Sequence, residues 1–162
     1  MQTTAKKLPP VEELRELLDY NPDTGELRWK SNGRHAGNFT RGYRQIPING
    51  RKYMAHRLAW LMFYETEPSC TIDHSNLNRS DNRICNLREA TPSENNRNRP
   101  RGGNNTSGFK GVYWSKSVKK WLSQITINGK WKYLGVFADI NDAANAYARA
   151  AKSIHGEFGR IS

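Results

Sequence analysis

Two of the three Asn-Gly dipeptides, Asn49-Gly50 and Asn128-Gly129, each stand between short runs of alternating apolar and polar residues. Asn-Gly is a strong signal for a two-residue hairpin turn, because both central positions need positive φ. The chain is therefore expected to build its sheets from tight antiparallel hairpins, one on each side of its middle. The segment between them is poor in core material. Nine asparagines fall between Asn76 and Asn105, and the apolar anchors are Ile72, Leu77, Ile84, Leu87 and Ala90. A chain of 162 residues divided in this way makes one medium domain or two small ones, each near the lower size limit for a self-sufficient core. The expected fold class is α+β.

Helical patterns frame the hairpins. Pro9-Pro10 precedes an apolar stripe at Val11, Leu14, Leu17 and Leu18, which predicts a helix over about 10–19. Asn21-Pro22-Asp23-Thr24-Gly25 is turn chemistry, and Glu26 to Lys30 alternates as a strand does. Residues 31–42 are Gly-rich and read as loop. Tyr43–Ile48 and Lys52–Ala55 flank Asn49-Gly50, and a second helix follows over 56–64. Cys70-Thr71-Ile72 reads as a short strand. Thr91-Pro92-Ser93-Glu94 has the form of a capping box, so a third helix should start near Pro92 and end before Pro100. Residues 101–107 are a linker by composition. Beyond it, 109–115, 121–128 and 130–137 read as three antiparallel strands. Asp139 and Gly156 bound a last helix whose apolar positions are mostly alanine.

Charge is unevenly spread. The net charge is +11; residues 1–55 contribute +4, residues 56–100 are neutral, and residues 101–162 contribute +7. Basic flanks around a neutral centre suit a protein that grips a polyanion, although the same excess also serves solubility. No apolar run approaches the roughly 20 residues of a spanning helix. The N-terminal segment has no apolar core of a secretory signal. Cys70 and Cys85 are too few for a disulfide framework and are expected to be partly buried side chains. The expected location is the cytoplasm, that of the host cell if the chain is phage-encoded, with no membrane association.

Asp73-His74 follows a short strand, and Asn95 stands at the start of the third helix. Phosphodiester hydrolysis needs a base that takes a proton from water and a divalent cation that offsets negative charge. A His at a strand end suits the first task, and one Asp with one Asn makes a sparse oxygen-only site of the kind Mg²⁺ or Mn²⁺ accepts. A lone His serves structure as readily as catalysis.

The segment IDHSNLNRSDNRICNLREATPSENNRNR, with HRLAW upstream at 56–60, resembles the HNH nuclease motif of phage-encoded and homing-type endonucleases. The resemblance implies a ββα-metal unit, with an HNH core at about 56–99 inside a nuclease domain spanning 1–100. It implies His74 as general base, Asp73 and Asn95 as ligands of Mg²⁺ (or Mn²⁺), and Asn86 as the residue that holds the hairpin loop and orients the His. Many members have His where this chain has Asn95, and Asn96 competes for the same role by one residue of helix register. Asn82 is expected to be structural. His56 could contact a phosphate, assist the active site or simply pack against the hairpin.

Residues 106–162 resemble the AP2 domain, through GV near 111, W-x-x-x-I at 121–125, LGVF at 134–137 and the alanine-rich helix. The AP2-like domain is placed at 108–162. The resemblance implies contacts to double-stranded DNA from Lys110, Tyr113, Ser115, Gln124, Thr126, Trp131 and Tyr133, with Lys132 among the lysines that meet phosphate. Arg97, Arg99 and Arg101 would track the backbone. AP2 domains of plants carry several arginines at these positions, so a plant-type GC-rich target is not implied.

These readings converge on a DNA endonuclease with an HNH unit and an AP2-like targeting domain. The alternatives are a non-catalytic DNA-binding regulator with a degenerate HNH unit and an RNA-binding or packaging protein. No protein partner is signalled; a monomer would nick one strand and a homodimer would cut both.

Overall fold

The computed structural model describes residues 7–99, 102–159 and 161. Arg101 lies outside the described residues. The chain divides into two compact units, Met1–Thr91 and Pro92–Ser162, so the third helix is counted with the second unit, ahead of the segment that composition marks as a linker.

The first unit runs α1 (Val11–Leu17), β1 (Leu18–Asn21), β2 (Glu26–Trp29), β3 (Asn38–Thr40), β4 (Tyr43–Ile48), β5 (Arg51–Met54), α2 (Ala55–Tyr64), β6 (Thr71–His74), a 3-10 turn at Ile84–Asn86 and β7 (Leu87–Ala90). It is α+β, with antiparallel pairs β1–β2 and β6–β7 and a three-stranded sheet ordered β3-β4-β5. The hairpin turn at Asn49-Gly50 has φ of 48° and 73°, as its residue types require. The core gathers Leu14, Leu18, Leu27, Ile46 and Leu58, all essentially inaccessible.

Three expectations need correction. The first helix does not reach residue 19: Leu18 turns extended and opens β1, because its strand partner is Trp29, a contact no local pattern announces. The Gly-rich 31–42 segment contains β3, which pairs along β4. Cys70 and Cys85 are exposed rather than partly buried; Cys85 lies in the 3-10 turn, where Asn86 takes the inward position.

The second unit runs α3 (Pro92–Asn98), β8 (Val112–Ser115), β9 (Lys120–Ile127), β10 (Lys130–Phe137), α4 (Ile140–His155) and a 3-10 turn at Gly156–Phe158. Its sheet is antiparallel, ordered β10-β9-β8. Ala143, Tyr147 and Ala151, four residues apart on α4, are buried with Val112 and Ile125. The two alanines let the helix sit close on the sheet on either side of the Tyr147 ring. Asp139 caps α4 by accepting from the Asn141 amide at 2.7 Å, and Gly156 ends it at φ 54°. Phe109 and Lys110 precede β8 rather than belonging to it. Among the described residues, no helix is long and apolar enough to cross a membrane.

Candidate active site

The β6–β7 pair sets the site. Antiparallel register places Asp73 opposite Arg88 and His74 opposite Leu87. Asp73 is 5% exposed, and its Oδ2 accepts from Arg88 Nε at 3.1 Å and Nη2 at 3.0 Å. The guanidinium thus compensates a carboxylate withdrawn from water, a charge that would be costly alone.

His74, the last residue of β6, is also buried. Its Nε2 lies 3.2 Å from Asn82 Oδ1. An amide oxygen only accepts, so Nε2–H donates and the neutral ring carries its lone pair on Nδ1. Burial pushes the imidazole below its ordinary range, against the opposing pull of Asn82, Asp73 and Asp81. The ring is therefore held neutral, in one tautomer, at the end of a strand.

Asn82 is 2% exposed, and the turn before β2 holds its backbone. Tyr20 donates its hydroxyl to the Asn82 carbonyl at 2.8 Å, and the Ile84 amide donates to the Pro22 carbonyl at 3.0 Å. Gly25, at φ 75°, lies against the same backbone: a Cβ there would stand 2.6 Å from the Asn82 carbonyl carbon and closer still to the Arg83 amide nitrogen. Only glycine combines that φ with that approach. The Asn-Pro-Asp-Thr-Gly turn thus positions, through Asn82, the imidazole of a residue fifty positions later.

Asn86 ties the loop between β6 and β7. Its Oδ1 accepts from the Asn76 amide at 3.0 Å and its Nδ2 donates to the Asp81 carbonyl at 2.8 Å. Asp81 accepts from Arg83 and Asn76, and the Arg83 guanidinium holds its carboxyl down at about 2. Asn86 is thus bonded within the loop, and the side chain bonded to His74 Nε2 is that of Asn82, which sequence reasoning assigned to structure.

His56, near the N-terminus of α2, is 8% exposed. Its ring meets His74 edge-on, with centroids 5.1 Å apart, and lies 5.5 Å from the Tyr43 ring. Arg79 stacks its guanidinium over Tyr43 at 4.9 Å. Burial first, then His74 and Arg57, lower its pKa to about 3. It packs as a neutral neighbour of His74.

With this geometry in hand, comparison with known proteins is specific. The HNH endonuclease family matches residues 53–97. Protein 3.8 of Escherichia phage T7 is 35% identical over 90 residues, which cover 56% of this chain and 74% of that protein. The chain belongs to the HNH endonuclease family. No solved structure matches it significantly.

The span that matches the family contains His56, Asp73, His74, Asn82, Asn86, Arg88, Asn95 and Asn96. The first unit brings His74, Asp73, Asn82, Arg88 and His56 together. Asn95 and Asn96 stand on α3 in the second unit, Asn95 half-buried and Asn96 exposed. Among the described residues, no group of three or more His, Cys, Asp or Glu is placed to hold a metal ion. Sequence reasoning overlooked Asn82 and Arg88 as contributors, although both lie in the D-N-R-x-x-N-L-R run. Their signal is the hairpin register, which sets Arg88 against Asp73.

The second unit sorts the expected DNA contacts by face. Residues opposite one another in an antiparallel pair share a face. The register Tyr113–Leu122, Gln124–Tyr133 and Thr126–Trp131 puts Tyr113, Gln124, Thr126, Trp131 and Tyr133 on the side away from α4, with Ser115 at the end of the same face. Trp131 is 77% exposed and Tyr133 59%. Tyr113 donates its hydroxyl to Gln124 Oε1 at 3.2 Å. Two residues depart from the grouping. Lys132 pairs with buried Ile125 and so belongs to the α4 side. Lys110 donates from Nζ to the carbonyls of Arg97 at 2.6 Å and Arg99 at 2.8 Å, at the end of α3.

Proposed function

We propose that this HNH protein is a DNA endonuclease that hydrolyses a phosphodiester with His74 as general base. The observation that carries the reading is the held imidazole: buried, neutral, its Nε2–H given to Asn82, and its lone pair on Nδ1. In the step, a water oxygen attacks phosphorus while its proton passes to Nδ1. The P–O bond to one sugar breaks, and the leaving oxygen takes a proton from solvent.

Asp73 and Asn95 would hold a divalent cation, Mg²⁺ or Mn²⁺, with Asn96 as the neighbouring candidate. Their chemistry fits: one carboxylate and one carboxamide are hard oxygen donors, and Mg²⁺ characteristically keeps several waters instead of taking a full protein cage. When bound, the ion supplies positive charge at the phosphate and leaving oxygens. Arg88 aims the Asp73 carboxylate, and Asn86 keeps the loop behind His74 in place.

The face carrying Tyr113, Ser115, Gln124, Thr126, Trp131 and Tyr133 is assigned to duplex DNA, in an AP2-like manner. Exposed aromatics on a three-stranded sheet, in a segment of net charge +7, support this assignment. Arg97, Arg99 and Arg101 are assigned to phosphate, whereas Lys132, on the α4 side of the sheet, is not.

The test is nicking of supercoiled plasmid in Mg²⁺. His74→Ala should lose roughly two to four orders of magnitude in cleavage while retaining DNA binding. Equal nicking by the two proteins refutes the assignment. The reading as a non-catalytic DNA-binding regulator draws on the Asp73–Arg88 pair, which already engages a proposed ligand. It requires that the wild-type protein not nick at all.

A further inference from the structure

From Leu27 to Tyr64 the chain holds eight Lys and Arg and no Asp or Glu; the acidic residues of the first 55 positions all lie at or before Glu26. This acid-free stretch includes the β3-β4-β5 sheet and α2. At one end of the sheet Tyr43 approaches the imidazole of His74, with ring centroids 6.1 Å apart. The β3–β4 turn, Arg41-Gly42, immediately precedes Tyr43 and has φ of 53° and 84°. The turns at Asn49-Gly50 and Asn128-Gly129 share this pair of positive values, with asparagine in the first position. Asparagine tolerates the left-handed region, whereas a long side chain is strained there. Yet the exposed Arg41 side chain forms no hydrogen bond or ion pair among the described residues. Strain kept for the sake of an exposed cation points to a task outside the fold.

Arg79 reaches the same turn from the loop between β6 and β7. Its stem runs beside Gly42, where a Cβ would stand 3.6 Å from Arg79 Cδ. Its Nη1 donates to the Arg41 carbonyl at 3.4 Å, and its guanidinium lies 4.9 Å over the Tyr43 ring. One aromatic side chain thus separates an exposed guanidinium from the imidazole. Among the described residues, neither arginine has a carboxylate partner. Asp81, the acid closest to Arg79 in sequence, gives its oxygens to Arg83 and Asn76. The N–H donors that Arg79 does not spend on Arg41 form the planar fork that a phosphate accepts.

We propose that Arg79 and Arg41 seat the phosphate backbone of DNA beside His74. The proposal rests on the endonuclease reading and names what positions the cut strand within the first unit itself. A phosphodiester backbone is a row of single negative charges, which suits two exposed cations along one rim. The Tyr43 ring and the Arg41 carbonyl already fix the Arg79 guanidinium, so less freedom is lost when it meets phosphate. Both arginines bind the strand, and neither takes a proton in the reaction.

The first measurement needs no cleavage. The full chain is titrated with a short DNA duplex in EDTA over a range of salt concentrations. Each phosphate contact contributes about 0.9 to the slope of log affinity against log salt. Arg79→Gln and Arg41→Asn should each lower that slope by about 0.9, and together by about twice as much. Arg41→Asn should leave the unfolding midpoint at or above that of the wild type, because Asn suits the turn, so weaker binding there is not lost folding. Arg79→Lys, which keeps the charge, should restore the slope. Single-turnover nicking at saturating DNA should fall about tenfold in Arg79→Gln. Arg51→Gln removes the same charge at the far end of β4, opposite Ile48, and should leave that rate unchanged. A salt slope unchanged in both Arg79→Gln and Arg41→Asn overturns the proposal, as does an equal loss of nicking in Arg51→Gln. An RNA duplex whose affinity responds to the variants as that of DNA does overturns the choice of DNA. The endonuclease reading fails by a different sign, the absence of nicking by the wild type, on which the titration in EDTA does not depend.

Discussion

Acid should loosen the first unit through His56. The ring is buried against His74 and Tyr43, and burial, then His74 and Arg57, lower its pKa from 6.5 to about 3. The folded-state value lies below the unfolded one, so between these limits the unfolded chain binds more protons. Stability therefore rises with pH across that window; the contribution is complete above 6.5 and is lost progressively as pH falls toward 3. At pH 5 the unfolded chain gains about 2 kcal/mol from protonating this one residue, by the linkage of 1.36 kcal/mol per pH unit. His74 titrates in the same direction, so acidification alone does not isolate His56. His56→Phe does, because it keeps an aromatic edge on His74 and removes the titrating nitrogen. Native-state hydrogen exchange of the α2 amides, corrected for intrinsic rates, should show the variant losing about 2 kcal/mol less than wild type between pH 7 and pH 5. Parallel losses in the two proteins would refute the reasoning, since His56 would then titrate alike whether folded or unfolded.

Asn82→Ala removes the acceptor from His74 Nε2, and a hydrogen bond of this buried kind is worth about 1–3 kcal/mol. Cleavage should fall roughly ten- to a hundredfold in a nicking assay while duplex affinity holds. Gly25→Ala forces a Cβ onto the Asn82–Arg83 backbone at φ 75°. It should lower the unfolding midpoint of the first unit and reduce nicking, although residue 25 lies far from His74 in sequence; thermal denaturation alongside cleavage tests both. Trp131→Ala should leave stability within about 0.5 kcal/mol, because the side chain is 77% exposed, yet weaken duplex binding about tenfold in an anisotropy titration.

The parts of the fold legible in the sequence are those whose signals are local. Strand β10 and helix α4 have the expected limits, Lys130–Phe137 and Ile140–His155, because a turn, a capping Asp and a terminal Gly mark them within a few residues. The capping box likewise marks the start of α3 at Pro92. Strands β1 and β3 were hidden for the converse reason. Leu17-Leu18 continues a helical stripe by pattern, and only pairing with Trp29 draws Leu18 into a strand. Asn38–Thr40 has no apolar alternation, and its strand character comes from β4 beside it. Cys85 misled because a small apolar side chain suggests burial, whereas the 3-10 turn gives the inward place to Asn86, whose amide closes the loop.

The site divides along the same line. His74 and Asp73 are adjacent in sequence, and their residue types alone suggest a base and a ligand. What makes them differ physically is who faces them across the chain: Leu87 and Asn82 for the imidazole, Arg88 for the carboxylate. Burial keeps the ring neutral against the pull of the Asn82 amide oxygen, while a guanidinium compensates the neighbouring buried carboxylate. The same pair of residues beside two apolar side chains would leave an uncompensated anion. With two cations instead, the ring and the carboxylate would compete for counter-charge. The register of β6 against β7 is thus part of the chemistry, because shifting it by one residue would hand Arg88 to the wrong side chain and turn both groups to the other face.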